Sequence, residues 1–482
     1  MLTPGSSENV TSWRLQEACR TALHSMGADH VETNVLNQTI VDENWSLGCV
    51  AEPYCIILPN NAQDVSTAVN IIHAFDVKFA VRSGGHSPNP GWSSVGRNGI
   101  LVDLQRLNEV TLSSDNSVVS IGPGARWGAV QDVLAEQNTT VMGGRYSDVG
   151  VGGLILGGGY SYLSTEYGLA TDNVKDFEIV LANGTITNAN ANENADLFWA
   201  LKGGGPNFGI VTSYHIETAR SNAAWFEALI FSPDQANDVL DAFAQWQLEG
   251  GSTDTRGNVN SVMALDEIAV LLVYAGHPPD SPSEFSPFYE LEPLAVLVPG
   301  TNGTIQDVET LVSSTASVVH MRHDYRSGSS RVDAQLYKDV YAFWLEKAQS
   351  VYETTGANQT FSIQHIPSSI AAHGIQKGGN PMGILQETQQ WWTTLVDWVD
   401  AEDDELVRSV AIDTTAYLEE LSQERGLNVS HIFMNDASRD QDPLSSYGAE
   451  NLQKLKEVSM KYDPTQLFQR QQNNGFLLRN IL

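Results

Sequence analysis

The chain has 482 residues, which is room for about three domains of ordinary size. It carries 26 Lys and Arg against 58 Asp and Glu, a formal net charge of −32, so its field would repel nucleic acids and anionic membrane surfaces. With 41% hydrophobic and 17% charged residues the composition is that of a folded protein, and no apolar run reaches the roughly 18 residues of a transmembrane helix. We therefore expect neither a nucleic-acid partner nor a membrane span.

The first 217 residues alternate between predicted helices and strands. Apolar residues at helical spacing predict helices at 12–25, 64–75, 127–136 and 196–202. Short apolar runs predict strands at 55–59, 78–81, 100–104, 118–121, 177–181 and 210–216. This alternation indicates an α/β or α+β domain over residues 1–217.

A different pattern extends from residue 218 to about 430. Long strands are predicted at 225–231, 261–274, 318–325 and 360–366, and long helices at 333–355 and 389–424. These elements predict a second domain in which a sheet carries helices on one face. The last segment, residues 431–482, is predicted to hold a strand and a helix at 449–461.

Three glycine clusters, each after a strand or a helix, stand out in the first domain. They span residues 82–87, 143–160 and 203–209. Glycine lets the backbone approach a ligand closely and turn its N–H groups inward, as a pyrophosphate requires, and a backbone lying flat against a large planar ligand would explain the longest cluster. A surface loop would explain one cluster, but three in one domain favour a ligand-binding surface.

A dinucleotide-binding turn of the Rossmann type is the alternative for such glycines. Gly122-Pro123-Gly124 follows a strand and precedes a helix, but the third glycine is Gly128, one position too late. No well-placed acidic residue follows about 20 residues on. The sequence therefore does not favour this motif.

Three motifs together resemble a known family. They are Gly84-Gly85-His86-Ser87, the run from Val149-Gly150-Val151-Gly152-Gly153 to Gly157-Gly158-Gly159-Tyr160, and Tyr462-Asp463-Pro464 with Phe468. In these the chain resembles the berberine-bridge-enzyme-like FAD-linked oxidoreductases of the vanillyl-alcohol oxidase superfamily, and it is most similar to their fungal branch. The resemblance implies an α+β fold with a two-part FAD-binding domain of the p-cresol-methylhydroxylase type (1–217), a substrate domain with a large antiparallel sheet covered by helices (218–430), and a C-terminal segment returning to the FAD domain (431–482).

The resemblance also implies how FAD is held. The ring of His86 would be bonded to the 8α-methyl group of FAD, and Arg82, Ser83, Gly84, Gly85 and Ser87 would surround the pyrophosphate. Gly209 and Val211 would contact the far end of the cofactor, and Asn451 would bind the flavin ring or position Tyr447. The remaining residues implied to line the dinucleotide are Gly144, Val149, Gly150, Gly152, Gly153, Gly157 and Tyr160.

The chain departs from the family at the second flavin attachment. Many members carry a Cys three residues before the Val-Gly-Val-Gly-Gly run, and this chain has Tyr146 there. We therefore expect a single covalent attachment, and the absence of a second one weakens the comparison with sugar oxidases. Tyr146 itself is a candidate substrate contact. Val149 occupies the position that gates dioxygen in relatives, and a small valine resembles the oxidase type.

A second departure concerns the catalytic base. Relatives often have Asn-Tyr-X-Asp, but this chain reads Phe433-Met434-Asn435-Asp436, so Asp436 stands where a tyrosine is expected. A carboxyl group in a water-poor pocket has a raised pKa and can act as a general base. Asp436 could instead cap a turn or pair with Arg439, and Tyr447 is the other candidate base. Asn380 is a further candidate for the substrate pocket.

The activity implied is an oxidation. The resemblance implies that hydride passes from an alcohol or natural-product substrate to FAD and that O2 regenerates the flavin and yields H2O2. A carbohydrate oxidase that forms lactones, and a flavin-bearing cyclase or binding protein without redox activity, are the alternatives. The partners expected are a small-molecule substrate and O2.

Cysteines and sequons bear on the location. Only Cys19, Cys49 and Cys55 are present, too few for a zinc framework; the resemblance implies a Cys19–Cys55 disulfide, with two buried thiols as the alternative. Residues 1–12 lack the pattern of a signal peptide. Eight Asn-X-Ser/Thr sequons with the acidic composition favour secretion over a cytosolic or vesicular location, and they begin at Asn9, Asn37, Asn44, Asn138, Asn183, Asn302, Asn358 and Asn428.

Overall fold

The computed structural model describes residues 5–315 and 319–481, with side chains from residue 12 onward. The sequon at Asn9 and the first residue of the strand predicted at 318–325 therefore lie outside the described side chains. In the described part of the chain, helices and antiparallel sheets are mixed, which confirms the α+β class. No described helix combines the length and the apolar composition needed to cross a bilayer.

The N-terminal part contains two sheets. The first has the order β1-β2-β4-β3, with β4 parallel to both β2 and β3, and the second is antiparallel with the order β5-β6-β9-β7-β8. The elements are α1 (Gly5–Met26), β1 (Val31–Glu32), α2 (Gln38–Val41), β2 (Cys55–Ile57), α3 (Ala62–Phe75), β3 (Lys78–Arg82), β4 (Gly99–Asp103), β5 (Val110–Leu112), β6 (Val118–Ile121), α4 (Trp127–Ala135), α5 (Val151–Leu156), α6 (Ser164–Tyr167), β7 (Val174–Val180), β8 (Ile186–Asn190), α7 (Ala195–Leu201) and β9 (Ile210–Glu217).

Local sequence explains α3 well. The Asn61 side chain accepts a hydrogen bond from the Asp64 N–H and so caps the first turn. Val65, Val69 and Ile72 recur at helical spacing and are buried against the first sheet together with α1. A disulfide between Cys19 and Cys55 joins α1 to β2.

The middle part of the chain forms two further antiparallel sheets. Their orders are β11-β12-β10-β13 and β14-β17-β15, and β16 also pairs with β17. The elements are β10 (Ala223–Phe231), α8 (Ala236–Leu248), α9 (Gly250–Thr253), β11 (Gly257–Met263), β12 (Ile268–Ala275), α10 (Ser286–Tyr289), β13 (Ala295–Thr304), α11 (Ile305–Ser313), β14 (Arg322–Arg331), α12 (Ala334–Thr355), β15 (Asn358–Gln359), β16 (Ser362–Ile366), α13 (Ser368–Gln376), β17 (Gln389–Trp398) and α14 (Asp404–Glu424).

The two middle sheets are joined into one layer, which has a hydrophobic core on each of its faces. Met263 and Phe361 exchange backbone hydrogen bonds of 2.9 Å, which joins the sheets edge to edge. Successive side chains of a strand point to opposite faces, so Trp392 packs with the helices α8, α12 and α14, whereas Trp391 packs toward the N-terminal part. The face that carries Trp391 also carries Tyr325, which lines the cavity described below.

Several predicted elements are wrong. Residues 389–424 are not one helix, because 389–398 form the strand β17 between β14 and β16 before α14 begins. The predicted strand 261–274 is a hairpin of β11 and β12, and the strand predicted in the C-terminal segment is absent from its described residues, 431–481. Within the long glycine cluster, for which no helix was predicted, Val151–Leu156 form the short helix α5.

The C-terminal segment packs back on the first sheet. Its helices are α15 (Pro443–Ser446), α16 (Ala449–Tyr462) and α17 (Leu467–Arg470), and a short 3-10 helix spans Met434–Asp436. Phe468 packs edge to face on Phe79, with ring centroids 5.9 Å apart. Gln472 pairs with Phe79 through the backbone, so this segment contributes one wall of the cavity.

Candidate functional site

A cavity of about 350 Å³ lies where the three parts of the chain meet. The loop after β3 and the helix α5 form one side, β14 contributes Tyr325, and the C-terminal segment closes the opposite side. Arg145 is the one Lys or Arg, and Asp436 the one Asp or Glu, among the described residues that line it. The cavity is therefore poor in charge despite the acidic chain.

The loop after β3 touches the start of α5 backbone to backbone. A Cβ atom at Gly84 would lie 2.5 Å from the Cα of Gly150, so glycine is required there by the close approach of the two backbones. In the described structure, the backbone N–H groups of the segment from Gly84 to Ser87 donate no hydrogen bond. These four residues line the cavity, and unpaired N–H groups of successive residues are suited to an anion such as a pyrophosphate.

Gly153 supplies a second feature that fits a bound group. It lines the cavity, and a Cβ atom there would meet nothing within 4 Å, so the space beside it is open. Asn435 fixes this side by accepting the Gly159 N–H at 2.9 Å and donating to the Gly153 carbonyl at 3.3 Å. The open glycine face and the unpaired N–H groups therefore fit the dinucleotide that the resemblance implies.

His86 is held in a stack of rings. The indole of Trp45 lies parallel to the His86 imidazole, and its other face covers His323, whose Nδ1 is 2.6 Å from an Asp397 carboxylate oxygen. The Tyr325 hydroxyl is 3.3 Å from His86 Nδ1. Burial, followed by the charges of His323 and Arg126, lowers the pKa of His86 to about 3, so its imidazole is neutral at physiological pH.

Hydrogen bonds through Gln364 connect Arg145 and Asp436, the two charged residues of the cavity wall. Arg145 Nη2 donates to Gln364 Oε1 at 2.8 Å, and Gln364 Nε2 donates to Asp436 Oδ2 at 2.7 Å. Asp436 Oδ1 has no hydrogen-bond partner among the described residues, although Asp436 lines the cavity. Burial raises the pKa of Asp436, while the Arg145 charge and the Gln364 hydrogen bond oppose the shift.

Two tyrosines of the cavity wall lie near these charged residues. Burial raises the pKa of Tyr146. Burial, with the charge of Asp436 second, raises the pKa of Tyr325 well above its usual value. Both hydroxyls therefore keep their protons at physiological pH and can donate hydrogen bonds in the cavity.

Most predicted site residues line the cavity. Five do not: Arg82, Gly144, Asn380, Tyr447 and Asn451. Those that line it are Ser83, Gly84, Gly85, His86, Ser87, Tyr146, Val149, Gly150, Gly152, Gly153, Gly157, Tyr160, Gly209, Val211 and Asp436.

Arg82 is turned away from the cavity, which corrects the expectation that it surrounds a pyrophosphate. Its side chain is 1% exposed and donates to Asp103 Oδ2 at 2.7 Å, to Asn44 Oδ1 at 3.0 Å and to the Ile40 carbonyl at 2.5 Å. A guanidinium bound to an equally buried carboxylate has no free face for a phosphate. Arg82 instead anchors the end of β3 from which the cavity loop leaves.

Tyr447 is also placed differently from expectation, and of the two roles expected for Asn451 the contact with Tyr447 is the one present. The buried Tyr447 hydroxyl donates to the Gly203 carbonyl at 2.8 Å, and Asn451 donates to the Tyr447 carbonyl at 3.0 Å. Because its hydroxyl is engaged outside the cavity, Tyr447 is not a base for a substrate bound there. Asn451 holds the start of α16.

Gly144 and Asn380 have packing roles. A Cβ atom at Gly144 would collide with the Trp127 ring, so this glycine makes room for a core side chain. Asn380 donates to Asp172 Oδ1 at 2.9 Å and accepts the Met382 N–H at 3.1 Å. Neither residue lines the cavity.

Four residues of the site were missed by the sequence analysis: Trp45, Arg145, Tyr325 and Gln364. Tyr325 and Gln364 lie on strands that carry no motif, and Trp45 is brought to His86 only by the fold. Arg145 could have been noticed, because it is the one charged residue between Gly143 and Ser147 in the glycine cluster.

Comparison with known proteins agrees with this geometry. Residues 53–190 match a family model described as an FAD binding domain. That range contains the loop after β3 and the helix α5, the two elements that meet at Gly84 and Gly150.

Curated relatives extend the match over nearly the whole chain. An FAD-dependent monooxygenase of Arthrobotrys oligospora is 37% identical over 440 residues, covering 91% of this chain and 84% of the relative. The FAD-dependent monooxygenase yanF of Aspergillus niger is 34% identical over 482 residues, covering 100% and 82%. The bifunctional solanapyrone synthase of Alternaria solani is 32% identical over 434 residues, covering 88% and 82%.

Solved structures share the fold at lower identity. The xylooligosaccharide oxidase of Myceliophthora thermophila superposes with a TM-score of 0.79 at 21% identity, covering 96% of this chain and 100% of the other. The glucooligosaccharide oxidase of Acremonium strictum, described with a 6-S-cysteinyl, 8α-N1-histidyl FAD, gives 0.79 at 20% identity, covering 93% and 97%. The chain therefore belongs to the berberine-bridge-enzyme-like family of FAD-linked oxidoreductases, with curated relatives in fungi.

Proposed function

We propose that the protein is an FAD-dependent oxidase that oxidises a hydroxyl-bearing natural product of secondary metabolism and passes the electrons to O2. One observation carries the proposal. Asp436 presents an unpaired carboxyl oxygen to a charge-poor cavity whose wall also contains His86 and the dinucleotide-binding loop. A carboxyl group placed in this way can accept the proton of a substrate hydroxyl.

The residues present fit a cofactor bonded through His86. The Gly84–Ser87 N–H groups and the open face at Gly153 would hold the dinucleotide, and the stack on Trp45 fixes the imidazole plane. The neutral imidazole is the form that can make a new bond, and the histidyl FAD of the glucooligosaccharide oxidase supports this assignment. Bound FAD would supply the hydride acceptor and, with O2, the route to H2O2.

Tyr146, which stands where many family members carry a cysteine, supports a single attachment. The Acremonium enzyme is described with a cysteinyl as well as a histidyl bond. The one free cysteine of this chain, Cys49, is buried, and burial raises the pKa of its thiol to about 12. It is therefore not a candidate for a second bond, since the thiolate is the reactive form.

The proposed chemistry can be written from the chain's own residues. Asp436 Oδ1 accepts the hydroxyl proton while the carbon–hydrogen bond of the same C–OH group breaks, and its hydrogen leaves with both electrons. The substrate thus loses a proton and a hydride and becomes a carbonyl compound; O2 takes up the two electrons and two protons as H2O2. Gln364 holds Asp436 Oδ2, so Oδ1 remains directed to the substrate.

The attachment is tested by acid precipitation followed by mass measurement of the peptide that contains His86. The expected result is a peptide heavier by one FAD and a colourless supernatant. A yellow supernatant with an unmodified peptide would disprove the covalent bond. Replacement of His86 by Ala should leave the yellow colour removable by acid.

The oxidase activity is tested in the absence of a nicotinamide reductant. One H2O2 per substrate oxidised is expected, with Asp436→Asn lowering kcat by roughly 10²- to 10⁴-fold while FAD remains bound. Because the base must be ionised and its pKa is raised, kcat/KM should rise with pH through a midpoint above the usual Asp value of about 3.9. The curated relatives are named monooxygenases, so incorporation of oxygen from ¹⁸O2 into the product would overturn the oxidase assignment in favour of that activity.

We also propose secretion. Six sequon asparagines are exposed in the described structure, whereas Asn44 is buried and hydrogen-bonded to Ser93 and Arg82. Fractionating a culture of the source organism should find the protein in the medium, with a mass that falls on treatment with peptide N-glycosidase and with Asn44 unmodified. Protein retained in the cells without glycans would contradict the proposal. The six exposed sites are Asn37, Asn138, Asn183, Asn302, Asn358 and Asn428.

A further inference from the structure

We infer that Ser327 and Gln441 are positioning residues that set the place of Asp436 in the cavity. This inference rests on the proposed function, because it concerns the residue to which that function assigns the substrate proton. Neither Ser327 nor Gln441 lines the cavity, so both act through the segment that carries Asp436. The place of Asp436 is thereby set by β14, a strand far earlier in the chain.

Ser327 holds the segment around Asp436 at both ends. Before Asp436, the Phe433 N–H donates to Ser327 Oγ at 3.1 Å. After Asp436, the Gln441 side chain accepts the Ser327 N–H at 3.1 Å and donates to the Ser327 carbonyl at 2.7 Å. Ser327 is 1% exposed, so water does not compete for these hydrogen bonds. The segment from Phe433 to Gln441 is therefore a loop whose two ends are fixed on one residue.

Gln441 takes the place of a neighbouring strand. β14 lies at the edge of its sheet with β17 as its partner, so the backbone groups of its other edge need other partners. The Gln441 amide satisfies the N–H and the carbonyl of Ser327 together, as a paired strand would. Its Oε1 also accepts the Ser438 N–H at 3.1 Å. A side-chain amide suits this position because it donates and accepts at once.

A largely buried ion pair also fixes the part of the loop that follows Asp436. Ser438 is 0% exposed, and its hydroxyl donates to Asp324 Oδ1 at 3.0 Å. Arg408 Nε donates to Asp324 Oδ2 at 2.6 Å, and Arg408 Nη2 donates to Asp440 Oδ1 at 2.7 Å. The loop is therefore held by α14 as well as by β14.

The sheet converts this attachment into a fixed distance from Gln364. Gln364 Nε2 donates to Asp436 Oδ2 at 2.7 Å, and Gln364 lies on β16, which pairs with β17 on the side opposite to β14. Two strand spacings, about 10 Å, therefore separate β14 from β16. The loop fixed at Ser327 reaches across β17 and places Asp436 beside Gln364. A loop released from Ser327 is no longer held against Gln364.

The ionisation of Asp436 reports on its contact with Gln364. Burial raises the pKa of Asp436, while the Arg145 charge and the Gln364 hydrogen bond oppose this shift. Tyr325, on β14, also interacts with the Asp436 charge, but its own pKa is raised and it keeps its proton. Loss of the Gln364 hydrogen bond should therefore raise the pKa of Asp436 further. A lower stability of the fold would not by itself produce this shift.

The test follows the titration of Asp436 through the absorbance of bound FAD, which responds to a charge in its cavity. In the wild-type protein we expect a titration step that Asp436→Asn removes. Ser327→Ala and Gln441→Met should each move this step to higher pH by about one unit, the size expected for the loss of a hydrogen bond to a charged group. Chemical denaturation shows that each variant is folded.

Ser330→Ala is the matched control. Ser330 also lies on β14 and is 0% exposed, and its Oγ accepts from Gln390 Nε2 at 2.9 Å, away from the loop that carries Asp436. Its replacement should lower stability without moving the titration step. Gln364→Leu should move the step, and Ser327→Ala should add no further shift in the Gln364→Leu protein, because both changes remove the same contact.

Three results would overturn the inference. They are an unmoved step in Ser327→Ala and Gln441→Met proteins that fold and hold FAD, an equal shift in Ser330→Ala, and additive shifts in the double variant with Gln364→Leu. Failure of the proposed function would be seen separately, already in the wild type. A wild-type titration without any step that Asp436→Asn removes would show that no ionising Asp436 lies beside the flavin, and the proposed function would fall together with this inference.

Discussion

The indole ring of Trp45 lies on the imidazole of His86, with ring centroids 4.1 Å apart and planes inclined by 10°. His323 covers the opposite face of the indole at 3.7 Å and is itself fixed by Asp397. Trp45 therefore lies between His323, on strand β14 of the middle part of the chain, and the loop that carries His86. The orientation of the proposed attachment residue depends on two sheets that are distant in sequence.

Replacement of Trp45 by Leu should slow the covalent attachment of FAD. Loss of an aromatic stack worth about 0.5–1.5 kcal/mol leaves His86 free to rotate, so attachment should slow by up to roughly tenfold. The measurement is the fraction of His86 peptide that carries FAD after timed incubation of apoprotein with FAD. Trp45→Phe, which keeps a ring, is the control, and an equal rate in the Leu variant would show that the stack does not orient His86.

Arg82→Met should lower stability rather than cofactor affinity. Removing one member of the buried Arg82–Asp103 pair leaves an uncompensated buried carboxylate, and such losses reduce the free energy of unfolding by about 3–5 kcal/mol. Chemical denaturation measures this change. Arg97→Met, at an exposed pair with Glu52, should change it by less than about 1 kcal/mol. If Arg82→Met instead left stability intact and weakened FAD binding, the pyrophosphate role would be restored.

Glu309 on α11 should make stability fall as pH rises. Its side chain is 2% exposed, and burial raises its pKa from 4.5 to about 7 against the opposing effect of the Ser147 side chain. Between those values the folded protein keeps a proton that the unfolded chain releases, so unfolding is favoured increasingly up to pH 7, by about 3 kcal/mol in total. Glu309→Gln should flatten this part of the curve of unfolding free energy against pH. Parallel curves for the two proteins would refute the assignment.

The Cys19–Cys55 disulfide should stabilise the first sheet. The two residues are 36 positions apart, and closing a loop of that size restricts the unfolded chain by about 2–4 kcal/mol. A Cys19→Ser, Cys55→Ser double variant should therefore unfold at a lower denaturant concentration, and reductant should shift the wild type in the same direction. No effect of reductant on the double variant is expected, because Cys49 takes no part in the disulfide.

Local sequence was sufficient where one segment determines its own structure. The helix α3 was predicted within a few residues because its cap and its apolar face lie in the same stretch. The helix predicted over 389–424 was wrong because Gln389–Trp398 is rich in residues that also suit a strand, and its pairing with Arg322–Arg331 decides the outcome. A hydrogen-bonding partner from a distant segment cannot be read from the segment itself.

The same dependence on distant segments explains why Arg82 and Arg145 have different surroundings. The sequence by itself predicted a flavin-binding surface of glycine-rich loops and His86, because the motif requires close backbone approach and lies within a short stretch of chain, and residues 53–190 match an FAD binding domain. Only the tertiary structure decided which arginine faces the cavity. Asp103 neutralises Arg82 inside the protein, whereas Gln364, on a strand more than two hundred residues away, leaves most of the Arg145 donors free. The direction of a charged side chain depends on where its partners are brought by folding, and that is a property of the whole chain.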